Sequence, residues 1–323
     1  MSIQKPPRLP VNATIGVVAS SLPILPSWES QYLAGKQLLT SWGFNIREGN
    51  TINLQHWWSA GTPQQQADDI HAMFSDPSVD AVLAVTGGFS ALRVVDYLDY
   101  NLIKQNPKPF IGMSDNSIYQ WTMLIHCGLV SFHGNNLHDA FGGYVATATL
   151  EEQAMWKSVY LDLLMKPSPY GAYPQLSLWE SWRPGIAKGR LIGGNLKRVT
   201  SLIGTTHFPS MEMFHGALFF WEEIGESLYD ISLNLHKWKH IGLFERIGGM
   251  IIGQPVWVNE YFQEIHHPTL EEAVMDIVKE YRFPILAQVD FGHNCSMLPL
   301  PIGIEAEMDT SKPAIVILEA AVE

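Results

Sequence analysis

The sequence predicts an α/β fold with a parallel sheet in its first half, and three observations carry that expectation. Short apolar runs closed by small or polar residues recur at Ala13 to Ser21, Asp80 to Thr86 and Pro109 to Gly112. Segments with apolar residues near helical spacing lie between and after them. Small or glycine-rich turns follow the runs, as at Gly87-Gly88. Strand and helix alternating in this way place helices on both faces of a parallel sheet.

Each element has its own signal. Ala13 to Ser21 is a buried strand, and Pro23 and Pro26 break the chain after it. Trp28 to Trp42 has helical spacing and stops at Gly43. Phe44 to Ile46 is a short strand. Thr62 to Phe74 is a helix with a capping threonine and Pro63 in its first turn. Asp80 to Thr86 is a second buried strand, and Ala91 to Tyr97 is helical. Pro109 to Gly112 is a strand, Ile118 to Cys127 a helix, and Leu129 to Phe132 a further strand. Ala148 to Leu164 is a helix with Glu151 and Glu152 in its first turn. Lys166 to Gly189 holds four prolines, three glycines and two tryptophans, which reads as a linker or an ordered crossover loop. The expected division is therefore residues 1–165, a crossover at 166–189, and residues 190–323. In the second part, strands are expected at Ala217 to Trp221, Gly248 to Ile252, Ile285 to Val289 and Ala314 to Leu318. Helices are expected after Asn195, at Ile231 to Phe244 and at Thr269 to Tyr281.

Composition narrows the function. Hydrophobic residues make up 46% and charged residues 16% of the 323, enough apolar side chain for a large core. The formal charge is −12, and no basic block interrupts it, which argues against nucleic-acid or anionic-membrane binding. Two cysteines, Cys127 and Cys295, make neither a disulfide framework nor a metal motif. The first residues lack the apolar stretch of a signal peptide, and no run is long enough to span a bilayer, so a cytoplasmic protein is expected.

In a parallel sheet, ligands sit beyond the carboxyl ends of the strands. Gly87-Gly88 and Ser114 both fall at such ends. Ser114 follows the strand Pro109 to Gly112 and precedes a helix, a turn that exposes a hydroxyl beside backbone N–H groups. Asn116 stands where a second glycine would complete the Gly-x-Ser-x-Gly pattern, and an ordinary capping residue is the other reading. Glu222 ends another apolar run, and His293 lies just past Ile285 to Val289. A hydroxyl nucleophile needs a base, and the base needs an anion to orient it. Ser114, His293 and Glu222 supply that set, and the N–H groups of Gly88 and Asp115 supply an oxyanion hole.

Several motifs run through the chain in order: Thr86-Gly87-Gly88-Phe89-Ser90, Leu98-Asp99-Tyr100-Asn101-Leu102-Ile103, and Pro107 to Asp115. Ile192-Gly193-Gly194-Asn195-Leu196, Trp221-Glu222-Glu223, Asp290-Phe291-Gly292-His293 and Leu300-Pro301-Ile302-Gly303 follow. Together they resemble the LD-carboxypeptidases and the related microcin C self-immunity serine peptidases. The resemblance implies an amidotransferase-like, flavodoxin-like α/β domain, followed by a smaller swivelling β/α domain, as a homodimer. It implies Ser114 as nucleophile, Glu222 and His293 as its partners, Gly88 and Asp115 as the oxyanion hole, and no metal or cofactor. It also implies either of two substrates: a cytoplasmic cell-wall L,D-tetrapeptide that loses its terminal D-alanine, or a peptidyl or aminoacyl nucleotide of the microcin C type. Asn116 and the pair Asn135-Asn136 depart from the family pattern near the expected cleft.

Other candidates are read both ways. Trp179 and Trp182 pack the crossover or stack on a flat ring such as adenine. Arg93, Arg183 and Arg190 are candidate cations for a substrate carboxylate. His133 with His138, and His236 with His240, lack the further ligands of a metal site. A ligand-binding protein with an unused triad is the alternative function.

Overall fold

The structure, a computed structural model, describes residues 2–258, 266–294 and 297–323, so Cys295 lies outside the described residues. The chain divides into two compact units, one of Met1–Tyr170, Ser296–Ile304 and Glu319–Glu323, the other of Gly171–Cys295 and Glu305–Leu318.

The chain path begins β1 (Thr14–Val18), α1 (Glu29–Ser41), β2 (Asn45–Glu48), α2 (Pro63–Ser75), β3 (Ala81–Ala84) and α3 (Ala91–Val94). It continues α4 (Tyr100–Gln105), β4 (Phe110–Gly112), α5 (Asn116–Cys127), β5 (Ser131–His133) and α6 (Leu150–Met165). Next come β6 (Gly171–Ala172), β7 (Glu180–Arg183), β8 (Ile186–Asn195), α7 (Leu196–Thr200), β9 (Leu218–Glu222), β10 (Ile224–Ser227) and α8 (Leu228–His240). The last elements are β11 (Gly249–Ile252), β12 (Val256–Val258), α9 (Leu270–Ile277), β13 (Ile285–Ala287), β14 (Leu300–Ile302), β15 (Glu305–Asp309) and β16 (Ala314–Ile317).

The first unit holds a sheet in the order β14-β5-β4-β3-β1-β2. Five strands are parallel, and β14 adds antiparallel to β5. The order 2-1-3-4-5 is flavodoxin-like, with its switch point between β1 and β3. Strands covered by helices on both faces must be apolar throughout, and every residue of β3 and β4 is buried. The helices start where capping chemistry allows. Thr62 accepts the Gln65 N–H while Gln65 reaches back to Thr62, and Pro63 fills the first turn of α2. Thr149 and Glu152 make the same reciprocal cap on α6. Residues 137–145, for which the sequence carried no expectation, form a π-helix.

The second unit holds eight strands in the order β6-β16-β15-β8-β9-β11-β13-β7. Its centre, β8-β9-β11-β13, is parallel. The stretch 166–189, read as a linker or crossover, supplies strands to this sheet, including β7 paired with β13. Two of its side chains are held within the second unit. The Trp179 indole N–H donates to Asp290 at 2.7 Å, and the Arg183 guanidinium donates to the Phe283 and Val278 carbonyls.

The division also differs from a single break in sequence. β14 returns to the first unit because Leu300 pairs with His133 and Ile302 with Ser131. The last residues follow it: Glu323 exchanges backbone hydrogen bonds with Pro6 and Arg8, and Lys5 pairs with Glu319 at 3.0 Å. No helix among the described residues is long and apolar enough to cross a membrane.

Candidate active site

Within the first unit, Ser114 sits between β4 and α5 with φ at +62°. Only a residue held by its surroundings keeps this left-handed backbone without being glycine, at a cost of about 1–2 kcal/mol. The holding is visible. Met113 N–H donates to Asn136 Oδ1 at 3.0 Å, and the Ser114 carbonyl accepts the Ser117 N–H at 3.0 Å. Asn116 is fully buried. Its Oδ1 accepts from Ser20 Oγ at 2.6 Å, and its Nδ2 donates to Met113 O at 2.9 Å and Thr86 O at 3.2 Å. It therefore ties together the segments that leave β1, β3 and β4, work a glycine could not do. Asn135 is structural too: its N–H donates to Tyr160 Oη at 2.7 Å, and its Oδ1 accepts the Met297 N–H at 2.8 Å.

Asp115 fixes the neighbouring turn. Its buried Oδ2 accepts from Ser21 Oγ at 2.6 Å, Ser90 N–H at 2.8 Å and Ala91 N–H at 2.9 Å. This anchors Gly87-Gly88 beside the serine. A Cβ on Gly87 would stand 2.6 Å from Ser114 Cβ and 2.7 Å from its Oγ, so no side chain fits there. Gly88 has φ at +150°, a conformation that favours glycine. No hydrogen bond from the Gly88 N–H is found among the described residues.

Within the second unit, Glu222 ends β9 fully buried, and its Oε2 lies 2.6 Å from His293 Nδ1. A carboxylate brings no proton, so Nδ1 carries the hydrogen and Nε2 is left as the basic nitrogen. The loop bearing His293 is fastened at Asp290. That carboxylate accepts from Leu176 N–H, Trp179 Nε1 and Gln254 Nε2. Phe291 packs edge-on against Phe220 of β9, with ring centroids 5.9 Å apart. Among the described residues no group of three or more His, Cys, Asp or Glu is arranged to hold a metal ion.

Residues 15–134 match the LD-carboxypeptidase N-terminal domain and residues 188–308 the LD-carboxypeptidase C-terminal domain. The chain belongs to the LD-carboxypeptidase family. It is 31% identical to a probable murein peptide carboxypeptidase of Bacillus subtilis, over 97% of this chain and 94% of that protein. It is 25% identical to the microcin C7 self-immunity protein MccF of Escherichia coli, over 99% and 98%. Its fold matches the structure of MccF in complex with aspartyl sulfamoyl adenosine at a TM-score of 0.88, with 22% identity over 99% of this chain and 100% of that one.

Against this LD-carboxypeptidase background, the secondary candidates separate. Trp179 is 2% exposed with its N–H on Asp290, so its role here is packing rather than stacking on a ligand. Trp182 is nearly buried, and its indole N–H donates to Glu180 at 2.8 Å. It lines a cleft of about 540 Å³ with His267, Thr269 and Gln288. Arg183 spends its guanidinium on backbone carbonyls and is corrected to a structural residue. Arg190 lies on β8 opposite Glu305. Arg93 lies over the rings of Trp57 and Trp58. The sequence reading gave no site role to Ser21 or to these two tryptophans. Only Ser21, a small polar residue closing an apolar run, carried a signal.

Glu223 was legible as a motif residue, and the structure shows what it holds. Its Oε1 accepts from Asn195 Nδ2 and the Ile224 N–H, and its Oε2 accepts the Lys197 N–H at 2.8 Å, at the start of α7. Burial first, and then the negative Glu222 beside it, push its pKa up from 4.5 to about 7 against those hydrogen bonds. Between these values the folded carboxyl keeps a proton that the unfolded chain has released. Stability should therefore fall as pH rises from about 4.5 through 7, by on the order of 3 kcal/mol at most. Urea midpoints across that range check this, and Glu223→Gln should remove the slope. Parallel curves for the two proteins would contradict it.

Proposed function

We propose that the protein is a serine-type carboxypeptidase in which Ser114, His293 and Glu222 act as one triad drawn from both units. Ser114 Oγ attacks the substrate carbonyl as its proton passes to His293 Nε2. Glu222 keeps the imidazole oriented and stabilises it when charged. The N–H groups of Gly88 and Asp115 receive the oxyanion. His293 then protonates the departing amine, leaving an ester on Ser114. Water, deprotonated by the same histidine, releases the acid and restores the hydroxyl. None of these steps calls for a metal or cofactor.

The observation that carries this proposal is the 2.6 Å contact between Glu222 and His293, buried at the end of β9. A buried carboxylate on an imidazole is costly as scaffolding and useful as a base. The left-handed Ser114 adds independent support from the other unit.

The favoured substrate is a murein L,D-tetrapeptide cut before its terminal D-residue, supported by the 31% identity to the Bacillus subtilis protein. A second substrate, an aminoacyl nucleotide, is favoured by the likeness to MccF along the whole chain. Purified protein incubated with an L,D-tetrapeptide and with an aspartyl sulfamoyl adenosine, followed by mass spectrometry, tests both. Loss of one amino acid from the peptide supports the first, and release of aspartate supports the second. Both ligands intact after long incubation, or a fluorophosphonate that fails to label the protein, would favour a binding protein. A cytoplasmic homodimer belongs to the same proposal and is checked by cell fractionation and sedimentation.

A further inference from the structure

We propose that Arg93, seated against Trp57 and Trp58, reads an anionic end of the substrate in the first unit, which rests on the peptidase proposed above. The chain's formal charge is −12, so an anionic substrate needs a local cation. The Arg93 guanidinium carbon lies 5.6 Å from the Trp57 ring centroid and 5.2 Å from that of Trp58. Among the described residues no carboxylate pairs with it, and its buried Nη1 has no hydrogen-bond partner. The two indoles lie against each other, ring centroids 5.7 Å apart, with the guanidinium beside both, and its N–H fork matches a carboxylate or a phosphate.

The tryptophans are placed at a cost. Trp57 is 66% and Trp58 49% exposed, and Trp57 has φ at +56°, an outlier for so bulky a residue. Strain of this kind persists where the surroundings hold it, often at ligand sites. His56 and Ser59 exchange backbone hydrogen bonds at 2.8 and 3.0 Å, pinching the loop, and the Ala60 N–H donates to Ser21 O at 2.9 Å. Ser21 in turn donates its hydroxyl to Asp115. Arg93 approaches the same residue from the other side. Its N–H donates to Ser90 O, and the Ser90 N–H donates to Asp115. Both halves of the cluster thus hang on the residue that follows Ser114. The exposed indoles would cover the apolar or ring-bearing body next to the anion. That anion is a peptide carboxylate or a nucleotide phosphoryl group, and the test separates the two.

Binding is measured by calorimetry in the Ser114→Ala protein, which cannot turn substrate over. The ligands are an L,D-tetrapeptide, the same peptide with its terminal carboxylate amidated, adenosine monophosphate and adenosine. Arg93→Met should weaken the acid about tenfold or more relative to its amide, or the monophosphate relative to adenosine. Which pair responds names the anion, and Arg93→Lys should recover part of the loss. Equal weakening within both pairs, no weakening, or no binding of either anion would overturn the proposal. So would a double Trp57→Ser, Trp58→Ser variant that turns a dimer into a monomer while binding the anions normally, since the patch would then join two copies. Failure of the peptidase proposal reads out separately, as wild-type protein that a fluorophosphonate does not label.

Discussion

Ser114→Gly is expected to abolish turnover and to raise the unfolding temperature. The wild-type residue holds φ at +62°. Glycine takes that conformation freely, removing about 1–2 kcal/mol of strain. Its extra freedom in the unfolded chain returns roughly 0.5–1 kcal/mol, so a net gain of about 0.5–1 kcal/mol remains. Ser114→Ala keeps the strain and should melt near the wild-type temperature. Both should lose about a thousandfold or more in kcat, since no hydroxyl remains to attack. Parallel melting and turnover measurements on the two variants separate chemistry from strain. A Ser114→Gly protein less stable than Ser114→Ala would mean that the turn is not strained as described.

Glu222→Gln is expected to lower kcat by about a thousandfold to ten-thousandfold while leaving the fold intact. The amide keeps the size of the carboxylate but can present an N–H to His293 Nδ1. That favours the tautomer with its proton on Nε2, where the base must be empty. Removing the negative charge should also lower the Glu223 pKa, because Glu222 is one of the two causes raising it. The fall of stability with pH should then still begin near 4.5 but end at a lower pH than in the wild type, and be smaller. An active Glu222→Gln protein would show that the 2.6 Å contact is scaffolding.

The sequence made the parallel sheet of the first unit legible because its strands are buried on both faces and read as unbroken apolar runs. Glu222 and His293 stood out as candidates for a related reason: Glu222 directly follows such a run and His293 comes four residues after another, near strand ends where ligands collect. What pairs the two, a 2.6 Å contact across 71 positions of sequence, is a product of β9 and β13 flanking β11, which spacing alone does not encode. The crossover stretch was harder to read. Its prolines and glycines mimic a linker, but Trp179 and Arg183 are claimed by Asp290 and by two carbonyls distant in sequence. The return of β14 was hidden likewise, since a three-residue strand containing Pro301 has little signal of its own. Asn116, a departure from the family motif, gains its meaning only from the three segments it joins.

The central claim is that Ser114 is activated by His293. Labelling with a fluorophosphonate, followed by peptide mass analysis, tests it most directly. The adduct should fall on Ser114 in the wild type and form about a thousandfold more slowly in His293→Ala. An adduct on another residue, or a labelling rate indifferent to His293, would contradict the account.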